Sequence, residues 1–452
     1  MVKFILSGRR VKQVSALLTG TLLMAVSLPG FAAPLELTLD EAVAMALKSN
    51  PSVKISESEL EKANWDVSVA KAGKAPSVSL SHSASRYKTA ESSTYVYDYD
   101  ATPGNIPYKV PVPAYLTTLY SNSINMTLPL YTGGKLEGTI DNAKLAVKVA
   151  DLGVTEAQQQ IKLDATNGYY SILQTRNLVT LRGESLDRLT EHLKNVEAQY
   201  NAGTVAKTDV LRSEVEKAAA EQNVIIAKNS YELAVSSLNN IISLPLDTEL
   251  IVKDELKYQK YDKTLEDCIK AALTNRPGLA QAQVNVDIAK TNIKVAESGN
   301  KLTVAATASE KWHDSDFPGA DYNAWSIGIN ASYNLFDGGL VKAQVKGSKA
   351  QLTKATEQLR QTKDSVQLEV RQAYLNMLEA EKRIETSKVA VVKGEEDYKI
   401  AQVRYSAGVG TNLDVIDSQV ALTSAKTDYV QALYDYNTSR AKLNKAMGIA
   451  VK

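Results

Sequence analysis

From Gly134 to about Tyr200 the apolar residues recur seven apart. Ile140, Val147, Val154 and Ile161 come first; after a step of eleven, Ile172, Val179, Leu186, Leu193 and Tyr200 follow. Seven-residue spacing draws one apolar seam along a helix, against which neighbouring helices pack. The step of eleven is a stutter, which locally unwinds a supercoil. No proline interrupts Tyr131 to Tyr200. A helix of roughly 67 residues is about 100 Å long, several times the usual globular helix, so the pattern predicts a device that spans a distance.

The same pattern occurs twice. Shifting each seam position by 205 residues (Tyr200 to Tyr405) gives Val345, Leu352, Leu359 and Val366, then Met377, Ile384, Val391, Tyr398 and Tyr405, with the stutter in the same place. Gly133-Gly134 matches Gly338-Gly339, Ala202-Gly203 matches Ala407-Gly408, and Asp209-Val210 matches Asp414-Val415. Each long helix runs into a Gly turn, Tyr200-Asn201-Ala202-Gly203-Thr204 or Tyr405-Ser406-Ala407-Gly408. A second helix then returns, its seam clearest at Val415, Leu422, Tyr429, Tyr436 and Leu443. The chain is thus a duplication of antiparallel coiled coils.

Upstream of each long helix stands a shorter one. Thr38-Leu39-Asp40-Glu41 and Thr264-Leu265-Glu266-Asp267 both read as capped helix starts; Asn50-Pro51 and Arg276-Pro277 break them. This part repeats at an offset of 226 (Pro51 to Pro277). The difference between the two offsets puts 21 extra residues between Gly73 and Gly133. There the period changes from helical to two. Ser77-Val78-Ser79-Leu80-Ser81 and Asn125-Met126-Thr127-Leu128 alternate in the first copy, and Trp325-Ser326-Ile327-Gly328-Ile329-Asn330 in the second. Strict alternation predicts strands with one apolar and one polar face.

The expected organisation is a segment 1–33 for export and a first repeat 34–243. That repeat holds helices 38–73 and 134–241, strands at about 76–86 and 120–131, and a Tyr- and Pro-rich extracellular loop at about 87–119. An equatorial connector, 244–263, leads to a second repeat, 264–452, with helices 264–298 and 339–447 and strands at about 301–312 and 324–336. The fold class is mainly α with membrane β.

Residues 1–33 have a basic start, an apolar run from Val14 to Leu28 and small residues at Gly30-Phe31-Ala32-Ala33, which is the layout of a signal peptide. No later apolar run is long enough for a membrane helix, so a second membrane crossing must use strands. Two readings of the strands compete: a soluble hairpin packed on its own helices, or part of an outer-membrane barrel, apolar to lipid and polar to the lumen. Export and the absence of apolar helices favour the barrel. Four strands cannot close one, since the smallest single-chain barrels use about eight, so several copies are expected to share it.

Net charge is +1, and no basic stripe with aromatics points to nucleic acid. His82, His192 and His313 are far apart, without metal-ligand spacing. The single cysteine, Cys268, makes no internal disulfide and reads as a small packed residue. The double glycines are not followed by a phosphate-loop lysine and suit bends between strand and helix. No catalytic set is clustered, and no cofactor is implied; the expectation is not an enzyme.

Leu39-Asp40-Glu41-Ala42 and Leu265-Glu266-Asp267-Cys268, the two Pro breaks, Leu130-Tyr131-Thr132-Gly133-Gly134, Leu335-Phe336-Asp337-Gly338-Gly339 and the tip turns together resemble the TolC family of outer-membrane efflux and secretion channels. The resemblance covers about Leu37 to Gly448 and rests on order, duplication and spacing. It implies a homotrimer sharing a 12-stranded barrel in outer-membrane lipid and a periplasmic tunnel of helices. It implies a passive exit duct for an inner-membrane pump, joined through a periplasmic adaptor, in a tripartite efflux or type I secretion system. It places Ala202, Gly203, Thr204, Ala407 and Gly408 at adaptor-contacting tips. Asp414 and Asp417 match acidic positions at the periplasmic constriction, where crowding of like charges is expected to raise carboxyl pKa values. Thr208, Asp209 and Tyr405 match positions that tie neighbouring coiled coils in the closed state. Gly410 stands where some members have an Arg in that link, and Lys452 ends the chain without the extension some members carry. The alternative is a periplasmic coiled-coil or adaptor-like protein without a pore.

Overall fold

The structure is a computed structural model that describes residues 35–96 and 107–450. The expected signal peptide, 1–33, lies outside these residues. A short strand β1 (Leu35–Leu37) precedes helices α1 (Leu39–Ser49) and α2 (Pro51–Ala72). Strands β2 (Ser77–Thr89), β3 (Ser92–Val96), β4 (Tyr108–Val112) and β5 (Tyr115–Tyr131) lead into helices α3 (Lys135–Asn201) and α4 (Lys207–Ile241). After β6 (Leu250–Val252) the order repeats: α5 (Leu265–Asn275), α6 (Pro277–Glu297), β7 (Thr303–Asp314), β8 (Tyr322–Ser332), α7 (Leu340–Ser406) and α8 (Asn412–Ala446).

The duplication is carried into backbone structure. The long helices α3 and α7 each have 67 residues and the returning helices α4 and α8 each have 35. Both pairs start and end at the same offset found in the sequence. The caps behave as their residues dictate. Thr38 and Thr264 form reciprocal capping boxes with Glu41 and Asp267, satisfying backbone N–H groups that a helix start leaves open. Asn50 and Arg276, each before a proline, sit in extended conformation and split the expected 38–73 and 264–298 helices in two.

The stutter has a place in the packing. Ile161, Ala165, Tyr169 and Ile172 are buried in α3, and Val366, Val370, Ala373 and Met377 in α7. Steps of four, four and three in α3, and of four, three and four in α7, fill the eleven-residue gap. Both sets belong to one core that also holds Leu238, Tyr436 and Leu443 of the returning helices and Ala42, Ala46, Cys268 and Ala272 of α1 and α5. The two repeats meet at this equator. Cys268 is buried and free, as its small size suggested.

The seam departs from the expectation at one end. Tyr200 is 42% exposed, whereas its counterpart Tyr405 is 7% exposed. Towards the end of α3 the buried residues are Leu189, His192, Leu193 and Val196 instead. An α-helix drifts about 20° per heptad against a strict seven-residue repeat. Four heptads separate Ile172 from Tyr200, but the same four separate buried Met377 from buried Tyr405, so drift alone does not set the two copies apart; Tyr405 is packed against the His192 ring at 5.2 Å.

The connector is more than a linker. Its β6 pairs in parallel with β1, Leu35 to Leu250 and Leu37 to Val252. Tyr169, fully buried, donates its hydroxyl proton to Asp254 Oδ2 at 2.7 Å and contacts the Leu37 carbonyl at 3.0 Å. Arg176 donates to the Val252 and Asp254 carbonyls at 2.7 and 2.9 Å. These bonds fasten chain start and connector to the middle of α3.

β2, β5, β7 and β8 form one antiparallel sheet in the order β2-β5-β7-β8. The expected loop 87–119 is shorter than expected among the described residues. β2 continues to Thr89 and β5 begins at Tyr115, and a β3–β4 hairpin lies between them. Arg86 and Lys88 interrupt the apolar alternation, yet the ladder goes on, because backbone pairing does not require apolar side chains.

Candidate functional site: the sheet and the helix tips

The register sorts the sheet's side chains into two faces. On one, Val78, Met126, Ala308 and Ile327 share a row, as do Leu80, Ile124, Glu310 and Trp325. Val78, Leu80, Trp325, Ile327 and Ile329 are each at least two-thirds exposed. A row of large apolar side chains facing outward has no partner among the described residues and suits lipid. On the other face, Ser77, Thr127, Thr307 and Gly328 share a row, and Ser79, Asn125, Ser309 and Ser326 the next. Hydroxyls bond across strands, Ser81 to Ser123 at 2.7 Å and Ser309 to Ser326 at 3.0 Å. Among the described residues, the outermost strands, β2 and β8, each keep one edge without a partner strand.

Each strand pair reaches its long helix through two glycines. Gly133 and Gly134 have φ of 66° and 94°, Gly338 and Gly339 of 65° and 88°. Successive left-handed residues are costly for any side chain but glycine, and they turn the chain from sheet direction into helix direction. Asp337 caps the second junction, accepting from the Gly339 and Val341 amides at 2.8 and 2.9 Å, which holds its carboxyl below the ordinary range.

At the far end of the helices the expected gate residues are gathered. Ala202-Gly203-Thr204 and Ala407-Gly408 form the two tip turns, with Gly203 and Gly408 both at φ 75°. Thr204 Oγ1 donates to the Gln199 carbonyl at 2.9 Å. Asp414 and Asp417 are both exposed on the first turns of α8 and line one groove with Asp397, Ile400 and Arg404 of α7. Asp397 and Arg404 were not foreseen. The Thr411 backbone N–H donates to Asp414 Oδ2 at 2.9 Å; this bond, the Thr411 hydroxyl and the Arg404 charge hold the Asp414 carboxyl below its ordinary value. Asp414 is thus also the capping-box acid of α8.

Asp209 and Thr208 open α4, but the tie from Tyr405 to Asp209 is not made within the chain. The Tyr405 hydroxyl is buried and has no hydrogen-bond partner among the described residues, while burial and the Asp209 charge raise its pKa. Gly410 fits tightly: a Cβ there would lie 3.0 Å from the Tyr405 amide nitrogen. An Arg at 410 would need this turn to move.

The tip contains a polar cluster that the spacing did not reveal. Asn412, 4% exposed on the first turn of α8, donates through Nδ2 to the Asp209 carbonyl at 3.0 Å. Its Oδ1 therefore accepts, from His192 Nε2 at 2.6 Å and from Ser213 Oγ at 3.2 Å. That geometry requires a proton on His192 Nε2. Burial pushes the His192 pKa down, with Asn412 acting weakly the other way. The cluster ties α8 to α3 and α4. Its signal lay in where the repeats differ: His192 matches Asp397 and Asn412 matches Lys207, whereas Ser213 matches Ser418.

No group of three or more His, Cys, Asp or Glu that could hold a metal occurs among the described residues. No described helix is long and apolar enough to cross a membrane.

Comparison with known proteins agrees with this arrangement. Over 340 residues the chain is 27% identical to the outer membrane protein TolC of Salmonella enteritidis, covering 73% of this chain and 69% of that one. It is 24% identical to the outer membrane efflux protein BepC of Brucella suis biovar 1, over 96% of this chain and 89% of that one. The fold is similar to the outer membrane channel CmeC of Campylobacter jejuni, with a TM-score of 0.76 and 17% identity over 91% of this chain and 85% of that one. The sequence model of a family described as outer membrane efflux protein matches residues 42–243 and 268–449, most of both repeats. This chain belongs to that family, the TolC-type outer-membrane channel proteins that extend into the periplasm.

Proposed function

We propose that three copies of this chain close a 12-stranded barrel in the outer membrane and continue it as a periplasmic tunnel of helices. The chain then acts as the exit duct of a tripartite efflux pump or type I secretion system. The observation that carries this reading is the four-stranded sheet with two unpaired edges and opposite apolar and polar faces. An open edge in lipid leaves backbone groups unsatisfied at several kcal/mol each, on the order of the cost of burying a bare amide. Pairing β8 of one copy with β2 of the next removes both edges and puts the Ser and Thr rows inside. Energy for transport comes from the inner-membrane partner, as the channel family performs no catalysis.

In this assembly the tips form the periplasmic entrance. Ala202, Gly203, Thr204, Ala407 and Gly408 meet a periplasmic adaptor. Asp414 and Asp417 ring the constriction in three copies, with Asp397 and Arg404 beside them, and a carboxylate ring attracts cations. The unpartnered Tyr405 hydroxyl, with Thr208 and Asp209 nearby in the chain fold, is held for a neighbouring copy in the closed state. Bilayer recordings test the gate. The double variant Asp414→Asn, Asp417→Asn shifts selectivity toward anions and weakens block by divalent cations from the periplasmic side. Tyr405→Phe raises resting conductance without changing selectivity. Wild-type selectivity and block in the double variant would reduce both aspartates to helix-start residues, of which Asp414 is already a cap.

A further inference from the structure

We propose that Lys311 makes the outer mouth of the pore anion-attracting, opposite in sign to the acidic tips. This rests on the barrel reading above and adds a selectivity-determining residue to it.

The observation is how the sheet distributes charge. Following the register across the strands, the polar face carries Ser77 to Ser85 of β2 at alternate positions, Ser121, Ser123, Asn125 and Thr127 of β5, Thr303, Thr307 and Ser309 of β7, and Ser326, Asn330 and Ser332 of β8. The other charged residues of these four strands, Arg86, Lys88, Glu310 and Asp314, alternate onto the opposite face. Lys311 is the one charged side chain on the polar face among the described residues of the four strands. Its cross-strand neighbours are Ser123 and Ala324, too small to cover it, and it is exposed. It takes part in none of the ion pairs found among the described residues. One row farther out lie His313 and Tyr322, their rings stacked at 5.7 Å.

Lys311 stands three residues before the outer end of β7, at Asp314. Three copies give a ring of three ammonium groups in a wall that otherwise offers hydroxyl and amide groups. Fixed charge in a water-filled pore acts over the Debye length, about 30 Å at 0.01 M salt and about 3 Å at 1 M. At low salt the ring's field reaches across the lumen; at high salt it stays near the wall. A negatively charged solute is drawn to the outer mouth, and a small multivalent anion added outside blocks there. With carboxylates at the inner end and the Lys311 ring on the lumen wall below the Asp316 and Asp321 turn, low-salt current also differs with the sign of voltage.

The test uses trimers in planar bilayers, with inorganic tripolyphosphate as the probe on the extracellular side. In 0.05 M KCl, roughly tenfold more tripolyphosphate is expected for half-block of Lys311→Gln than of wild type, and block is lost in Lys311→Glu. Lys311→Arg keeps it. The difference shrinks toward nothing at about 1 M salt. A Lys311→Cys variant gives an independent reading, because Cys268 is fully buried. A cationic methanethiosulfonate reagent restores block, and an anionic one abolishes it. Conducting trimers with equal block and equal reversal potential in wild type and Lys311→Glu would overturn the ring while leaving the channel reading intact. Absence of conductance from wild-type protein would overturn both.

Discussion

Removing the Asn412 side chain tests whether the tip is held by its polar cluster. In Asn412→Ala, α8 loses its donor to the Asp209 carbonyl and its acceptor for His192 and Ser213. Ser213 keeps its bond to the Asp209 carbonyl at 2.9 Å, so that carbonyl remains paired. His192, 5% exposed, is left without a partner on Nε2. Stranding a buried donor costs about 1–3 kcal/mol, and a lost neutral hydrogen bond about 1 kcal/mol. Together the tip is weakened by about 2–4 kcal/mol, which is roughly a 30- to 700-fold increase in local opening. Amide hydrogen exchange of residues 189–215 and 405–420 reads this directly, with the equatorial residues around Tyr169 as an unchanged reference. The pH dependence has a definite sign. The His192 pKa is lowered in the folded tip from its ordinary 6.5. Above that value both open and closed tips carry neutral His192; as pH falls below it, the open tip takes up the proton first and closure weakens. Burial and Asn412 are what set this group; Tyr405, its aromatic neighbour at 5.2 Å, stays neutral in this range. After division by the intrinsic exchange rate at each pH, protection at the tip therefore falls from pH 7 to pH 5 in the wild type, and His192→Phe removes that slope. Less than a twofold change in exchange for Asn412→Ala would refute the reasoning.

Three further outcomes follow from other parts of the fold. Gly338→Ala pays only the left-handed backbone cost of about 1–2 kcal/mol, because nothing lies near a Cβ there. Gly133→Ala costs more by about 1–3 kcal/mol, since its Cβ would lie 2.8 Å from Lys301 Cβ and 2.9 Å from the Ser298 carbonyl; thermal dissociation of purified assemblies ranks the two, and equal losses would contradict the contact. Tyr169→Phe leaves the connector without its bond to Asp254 and lowers stability by about 1–3 kcal/mol, measured by thermal unfolding of the helices. Arg276→Ala removes its bonds to the Lys445 carbonyl at 2.7 Å and to half-exposed Glu369 at 2.9 Å; loosening of the α8 end by about 1–2 kcal/mol shows as faster exchange near Lys445.

Much of this architecture can be read before any coordinates, because it is written twice. A stutter, two glycines, a tip turn and an aspartate recurring at one offset determine the lengths of α3, α7, α4 and α8. Strict alternation around Ile327 likewise locates β8. What escapes is what the repeats do not share or what is too short to have a period. The three-residue β1 and β6 carry no pattern of their own and are strands only because they pair. Tyr200 fits the heptad yet is 42% exposed, while Tyr405 at the same place in the second copy is 7% exposed and packs against His192. His192 looks isolated in the sequence because Asn412 is 220 positions away, and only packing of α8 against α3 joins them. Asp414 and Asp417 are singled out by resemblance, whereas the groove they share with Asp397 and Arg404 needs the fold.

The central claim is that the four-stranded sheet is a third of a shared barrel. Native mass measurement of the detergent-extracted outer-membrane protein, compared with its mass after heating, tests it most directly. The account predicts three chains per particle with full strand content, falling to one chain as strand content is lost. A stable single chain that keeps its strands in detergent would contradict it.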